Sequence, residues 1–495
     1  MPIPTSNPRH ALLTLACAGL LLGGCAAVSE HQPPSSGASP GADWRALASN
    51  VAAQDPPAHW WRLYQDPLLD QLVIQALQHN QQLQASLAHV DELLALLGQA
   101  QAQRWPTTTA SWQTVYGRSS DDQTEAKASG SRAGSQWNQI PGFALDYQID
   151  LWGRVRQSIL AAQANAEAAQ AAHDQLRVSV AAATARAYAN ACAYAGRAVI
   201  QQHSVATVER SLDLTLRQRR AGLLTDLEVE RMRSLLAETR AALPRLQAEQ
   251  QAALEELNVL TGSQAGQLPA ALSDCRSVPQ LHQALPVGDG WALLQRRPDI
   301  RAAQRELAAA GHEVGVRQAD FYPSVSFGAS ITSSASRLSD LGAHEAITYA
   351  VGPLISWSFP NLLGTRARLA AAQARENQQL ARFQQQALVA LKEVRQSLAR
   401  YSGEAGHRAA LGSALDSSRN AYRLAQVNYQ AGALDFLDVL DSERAMVRLE
   451  ADTAEADQQL AERQIDLFHA LGGGWQDTPA NQLAGHTTTA TEPAR

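Results

Sequence analysis

Phe143-Ala-Leu-Asp-Tyr-Gln-Ile-Asp150 alternates strictly: Phe143, Leu145, Tyr147 and Ile149 fall on one side, and Ala144, Asp146, Gln148 and Asp150 on the other. A period of two is that of an extended strand. Upstream, beyond a polar tip from Arg118 to Gln136, Ala110, Trp112 and Tyr116 alternate with Ser111, Gln113 and Val115. The same pair of segments recurs further along the chain. Val325, Phe327, Ala329 and Ile331 alternate with Ser324, Ser326, Gly328 and Ser330. The return segment sets Val351, Ile355, Trp357 and Phe359 against Gly352, Leu354, Ser356 and Ser358. Strands are therefore expected at about 107–117, 140–150, 323–332 and 347–359.

Four segments of about ten residues, apolar on one face and small or polar on the other, match strands of a membrane barrel. Half-buried hairpins of a soluble protein alternate in the same way. The membrane reading is favoured because aromatics, only 5% of the chain, concentrate in these segments. Four strands cannot close a barrel, for which about eight are the minimum. The chain must therefore oligomerise: two copies give eight strands and three give twelve.

The intervening sequence is helical in pattern. Residues 81–105 carry Leu83, Leu87, Val90, Leu94 and Leu97 on one side, and Pro106 ends the run. From Trp152 to Gly222 about 70 residues would span roughly 105 Å. The returning helix, Asp226 to about Leu260, contains Pro244, which is expected to kink it. The second half repeats this with 298–320, 364–429 and 435–470. Landmarks recur in order: Trp105-Pro106 with Tyr322-Pro323, Asp150-Leu-Trp-Gly153 with Asn361-Leu-Leu-Gly364, and Arg220-Ala-Gly222 with Gln430-Ala-Gly432. At the end, Leu257-Asn-Val-Leu-Thr-Gly262 aligns with Phe468-His-Ala-Leu-Gly-Gly473. The chain is a duplication.

Composition supports closely packed helices, since alanine supplies about a fifth of the residues. The formal charge of -6 argues against a nucleic-acid-binding protein, which would show a basic face. After the N-terminal segment no apolar run reaches the length of a membrane helix. No His-Glu-x-x-His, Cys-x-x-Cys, Gly-x-Ser-x-Gly or phosphate-binding loop is present. No enzymatic activity, metal or cofactor is expected. Cys192 lies in an alanine-rich helix and Cys275 in a polar connector. Spacing does not establish a bond between them, and two unpaired thiols are the expectation.

Arg9 and His10 precede the apolar run Ala11–Leu22, which has the form of an export signal. Its ending, Leu22-Gly-Gly-Cys25, resembles a bacterial lipobox. The resemblance implies cleavage after Gly24, acylation of Cys25 and, with Ala26 next, sorting to the outer membrane.

Trp60-Trp-Arg-Leu-Tyr-Gln-Asp-Pro-Leu68, Arg296-Arg-Pro-Asp-Ile-Arg301 and the lipobox together resemble the TolC-like outer-membrane efflux channels, in their lipidated NodT branch. The resemblance covers about residues 58–475. It implies a mainly α fold with a small β part: a duplicated unit of one helical hairpin and two strands. Three chains would form a periplasmic α-helical barrel continuing into a 12-stranded outer-membrane β-barrel. The implied partners are two further copies of the chain, a periplasmic adaptor, an inner-membrane pump of the resistance-nodulation-division class, and outer-membrane lipid. Tyr429-Gln-Ala-Gly-Ala-Leu-Asp-Phe-Leu-Asp438-Val-Leu-Asp441 resembles the family's periplasmic entrance. There Asp438 and Asp441, one turn apart, would ring the lumen as a cation-binding gate, with Tyr429 beside them. Glu228 is the candidate in the first half. Leu434 stands where the family has a basic gate residue. The turns at Gly222 and Gly432 would dock adaptor hairpins.

The expected organisation is a signal peptide (1–24), a lipidated tether (25–57), a first repeat (58–263), a connector (264–290), a second repeat (291–475) and a polar tail (476–495). The expected function is a passive exit duct for small toxic compounds. A duct for ATP-driven protein secretion and a poreless periplasmic lipoprotein are the alternatives.

Overall fold

The computed structural model describes residues 51–52, 54–118, 120–264, 267–281, 283–288, 296–357, 359 and 362–473. The expected signal peptide, Cys25, the tether up to residue 50 and the tail 476–495 lie outside them. The chain forms two compact units. One holds residues 92–166 and 305–381; the other holds the described parts of 51–91, 167–304 and 382–473.

The elements repeat in kind and length. Helix α1 (Pro67–His79) is followed by α2 (Gln81–Ala102), strand β1 (Thr107–Gly117), α3 (Ser120–Ala128), β2 (Gln136–Ile149), α4 (Arg154–Arg220) and α5 (Asp226–Thr261). The second half has α6 (Pro298–Ala319), β3 (Ser324–Ser333), β4 (Ile347–Ser356), α7 (Leu362–Gln430) and α8 (Phe436–Ala470). Helices α2 and α6 have 22 residues each, α4 and α7 have 67 and 69, and α5 and α8 have 36 and 35. Helix α5 runs through Pro244. The tip between β1 and β2 carries a nine-residue helix that polar composition did not signal.

In the first unit the strands form one antiparallel sheet in the order β1-β2-β3-β4. Its register puts the apolar rows on a single face. Tyr116 opposes Trp137, Ala110 opposes Phe143, Phe143 opposes Ile331, Tyr147 opposes Phe327, and Ile331 opposes Tyr349. The other face carries Ser111, Gln113, Asp146, Gln148, Ser326, Gly328 and Ser330. The apolar side is uncovered within the chain: Trp112 is 62% exposed and Tyr349 78%. Eleven residues of β1 make about 37 Å of strand, or about 26 Å of height at a tilt of about 45°. Aromatics gather at the ends of the strands. Trp152 stacks on Tyr322 at 4.6 Å, and Trp357 on Phe359 at 4.9 Å, where the strands meet helices. Tyr116 and Trp137 lie 5.2 Å apart at the far end of β1. The pattern is that of a lipid-facing band between aromatic girdles.

The second unit is helical and has the larger core. Trp60 is fully buried and stacks on Phe468 at 4.8 Å, among Leu257, Leu398 and alanines of α4. The Trp-Trp-Arg-Leu-Tyr segment is held by carboxylates. Asp66 caps α1 by accepting from the N–H groups of Leu68 and Leu69 at 2.9 and 3.2 Å, and Pro67 fills the first helical position. Its second oxygen accepts from the Tyr188 hydroxyl at 2.6 Å. Asp70 accepts from Trp61 Nε1 and Arg62 Nε at 2.8 and 2.9 Å.

Two expectations are corrected here. Cys192 and Cys275 are joined in a disulfide across 83 residues. The connector lies directly on α4 there. One turn beyond Cys192, a side chain at Gly196 would clash with the Arg276 carbonyl. The repeat register at the hairpin ends also shifts by one residue. Gly262 and Gly472, not Gly473, hold left-handed φ of +67° and +66°. Each terminates its helix by the same bonds: Ser263 N–H to Asn258 O at 2.9 Å, and Gly473 N–H to Phe468 O at 3.4 Å. Alanine-rich helix ends offer little to distinguish neighbouring registers; the backbone does.

Candidate functional site

The candidate site is the pair of turns joining α4 to α5 and α7 to α8. Both are built alike. Gly222 and Gly432 have φ of +76° and +75°, which only glycine adopts without strain. Leu223 N–H reaches Gln218 O at 2.9 Å, and Ala433 N–H reaches Asn428 O at 2.8 Å, closing the same helix cap. A Cβ at either glycine would have nothing within 4 Å among the described atoms. The glycines thus serve backbone conformation rather than close approach.

The next helix in each hairpin is started by its own acid. Thr225 caps α5 by accepting from Leu227 N–H at 3.2 Å, and its own N–H donates to Glu228 Oε2 at 2.9 Å. The Thr225 hydroxyl also bonds Glu228. This hydroxyl contact, together with the backbone donors, holds the Glu228 carboxyl below its ordinary range. In the second hairpin Asp435 N–H donates to Asp438 Oδ2 at 3.3 Å. Glu228 and Asp438 therefore occupy equivalent third positions of their helices. Both have a local capping role that the gate reading did not include.

Asp441 is different. It is exposed, and no hydrogen bond or ion pair links it to another described residue of the chain. Its counterpart in the first hairpin is Arg231. Tyr429 donates its hydroxyl to Gln218 Oε1 at 2.9 Å, and its ring stands edge-on to Phe436 at 5.9 Å. That bond joins the two hairpins. Beside it Phe436 and Leu440 of α8 pack with Val208 of α4 and with Met232, Leu235 and Leu236 of α5. Leu434 is 37% exposed.

The hairpins are joined along an antiparallel seam between α4 and α8. Ser179 meets His469 at 3.3 Å, Arg186 meets Asp466 at 2.5 Å, and Arg197 meets Gln458 at 2.8 Å. Nearest the turns, Ser211 donates to Glu443 at 2.8 Å. Sequence reasoning missed Glu443. The signal was there: Phe436, Leu440, Glu443 and Val447 follow helical spacing, so a carboxylate occupies the apolar stripe. It also missed the use of Arg296-Arg-Pro-Asp. Arg297 is buried and grips Asp299 with two bonds of 3.0 and 2.6 Å. The same guanidinium donates to Ala470 O at 2.7 Å and Glu393 at 2.8 Å. It ties the start of α6 to α7 and to the end of α8. Asp299, half-buried and bonded by Arg297 and Gln386, is held below the ordinary carboxylate range.

Among the described residues no group of acidic, histidine or cysteine side chains is arranged to hold a metal, and no helix is long and apolar enough to cross a membrane. The profile of the outer membrane efflux protein family matches residues 72–263 and 292–473. The chain belongs to that family. An outer membrane efflux protein is a transport duct rather than an enzyme. The chain resides in the outer membrane with its helical part in the periplasm, as the exit duct of a tripartite efflux system. It is 30% identical to the pyoverdine export outer membrane protein OpmQ of Pseudomonas putida, over 95% of this chain and 99% of that one. Nodulation protein T of Rhizobium leguminosarum is 25% identical over 94% of this chain and 98% of its own. The solved outer-membrane channel OprN matches with a TM-score of 0.84 and 33% identity, over 90% of this chain and 99% of OprN.

Proposed function

We propose that three copies of the chain close a twelve-stranded barrel, whose lumen continues between the helical hairpins. The observation that carries this is the sheet. Strands β1 and β4 are its edges, each pairs on one side only, and the four strands turn a continuous apolar face away from the chain. Unpaired edges cannot stand in lipid, so each must find the edge of another copy.

The exposed tip of the second hairpin serves as the periplasmic gate. Asp441 is its selective group: three unpaired carboxylates at one level attract cations and repel anions. Asp438 starts α8 and places Asp441 one turn further on. The Gly222 and Gly432 turns dock a periplasmic adaptor that links the duct to an inner-membrane pump of the resistance-nodulation-division class. Acylation at Cys25 anchors the chain. The cargo is small organic compounds, a reading supported by the full-length likeness to a pyoverdine exporter.

Recording in planar bilayers under a salt gradient tests the gate. Asp441→Asn is expected to lower the preference for cations severalfold without abolishing conductance. An unchanged reversal potential would remove Asp441 from the pore. A monomer or dimer by native mass measurement in mild detergent would sink the trimer, and palmitate still entering a Cys25→Ser variant would sink the anchor.

A further inference from the structure

Glu443 is a buried carboxylate without an ion-pair partner among the described residues. It is 1% exposed and sits on α8, two residues past Asp441. Its oxygens accept from the Ser211 hydroxyl of α4 at 2.8 Å and from the Tyr422 hydroxyl of α7. Tyr422 is oriented by Gln426, whose Nε2 donates to the phenol oxygen at 2.6 Å. One side chain thus fastens three helices drawn from both hairpins, within one helical turn of Asp441.

We propose that Glu443 is an acid-responsive latch of the periplasmic gate, taking up a proton when the two hairpins pack together and holding them packed. This rests on the reading of that end as the gate. The surroundings supply hydroxyls but no counter-charge in contact. From α4, Arg210 is the nearest charge, with His203 lining the same groove. From α7, Arg419 is engaged by Glu450 at 3.0 Å. On α8 itself the neighbours are Arg444, Asp441 and Glu450. The residues of α5 in the adjoining cluster, Met232, Leu235 and Leu236, are apolar.

Burial pushes the Glu443 carboxyl above its ordinary range, and the two hydroxyls only partly offset that. If the hairpins part, water reaches the carboxyl and its affinity for protons falls to the ordinary value, near pH ~4.3. The packed arrangement binds the proton more tightly, so acid favours packing. The proton's contribution is fully present below the ordinary carboxylate range and is lost as pH rises through the packed-state value. At neutral pH the buried charge resists closure; in acid the neutral carboxyl does not.

The test is open probability of the full lipidated protein in planar bilayers, with the periplasmic side taken from about pH 7.5 to about pH 5.5. The wild type is expected to lose open probability at the lower pH. Glu443→Gln keeps the shape and removes the charge. It should show the low opening of the acid state at both pH values. A Glu443→Gln variant that follows the wild-type profile overturns the proposal and leaves only a structural role. Should that variant fail to assemble, Ser211→Ala decides. Losing a donor to the ionised form should move the wild-type midpoint to higher pH, and an unmoved midpoint overturns the latch. Failure of the gate reading shows elsewhere, as an unchanged ion preference in Asp441→Asn.

Discussion

Gly222 in the first hairpin and Gly432 in the second hold the same backbone conformation, close the same cap, and are followed by a helix whose third residue is an acid. Around this shared frame the side chains diverge. Position for position, Arg219 of the first hairpin corresponds to Tyr429 of the second, and Arg231 to Asp441. Arg219 pairs with Asp226 of its own hairpin at 2.8 Å, whereas Tyr429 reaches across to Gln218 of the other. The first turn closes on itself, and the second makes the cross-hairpin contact and leaves Asp441 open. The first hairpin is also the one stapled to the connector through Cys192, and α7 contains no cysteine. Duplication kept the backbone that makes a turn. It gave one copy the anchorage and the other the exposed charge.

The largest effect should come from the staple. In loop-entropy terms, a crosslink closing a loop of this size contributes about 4–5 kcal/mol. Cys192→Ser is therefore expected to lower the thermal unfolding midpoint of the detergent-solubilised protein markedly. Reductant should lower the wild-type midpoint in the same way and leave the variant alone. The next effect tests the equality of the turns. Gly222→Ala and Gly432→Ala each force a Cβ into the left-handed region at about 1–2 kcal/mol, with no clash to add. Denaturation should show similar losses. A clearly larger loss at one turn would mean that contacts outside the chain distinguish them.

The strand faces are legible in the sequence because membrane strands keep period two for about ten residues, and the register brings all four apolar rows together. Helix ends are legible where glycine and a capping residue mark them, as at Gly222-Leu-Leu-Thr225. The disulfide was not legible, since proximity across 83 residues is a property of the fold. Helix α3 is too polar to show a period. Glu443 was written into the stripe 436, 440, 443, 447, yet a single acid among apolar positions reads equally well as a surface residue until its neighbours are known. Asp438 and Glu228 stand out in the sequence as acids just after a turn, but their capping bonds depend on local backbone geometry that residue type alone does not reveal.

A smaller change separates the turn whose tyrosine reaches across from the turn whose arginine does not. Tyr429→Phe removes a half-buried hydrogen bond between them, worth about 1 kcal/mol. The closed state should weaken by that amount, so open probability should rise about fivefold in single-channel records. Arg219→Ala breaks only an exposed pair within its own hairpin and should shift opening by much less, about twofold at most. Equal effects would show that the cross-hairpin contact has no special part in closure.

The smallest expected effect inverts the comparison itself. Arg231→Asp gives the first hairpin the acid pair of the second, placing a new carboxylate one helical turn after Glu228. If both tips faced the conducting path equally, the added carboxylates would raise cation preference as strongly as Asp441→Asn lowers it. The geometry argues otherwise. Glu228 is tied into its cap by Thr225, and among the described residues the unpartnered acid at this level is Asp441 of the second hairpin. Screening confines an exposed charge to a range of about 8 Å at physiological salt. Arg231→Asp should therefore change the reversal potential only slightly, while Asp441→Arg moves it in full. A large shift from Arg231→Asp would place the first hairpin in the gate as well, and the division of labour between the two copies would fall.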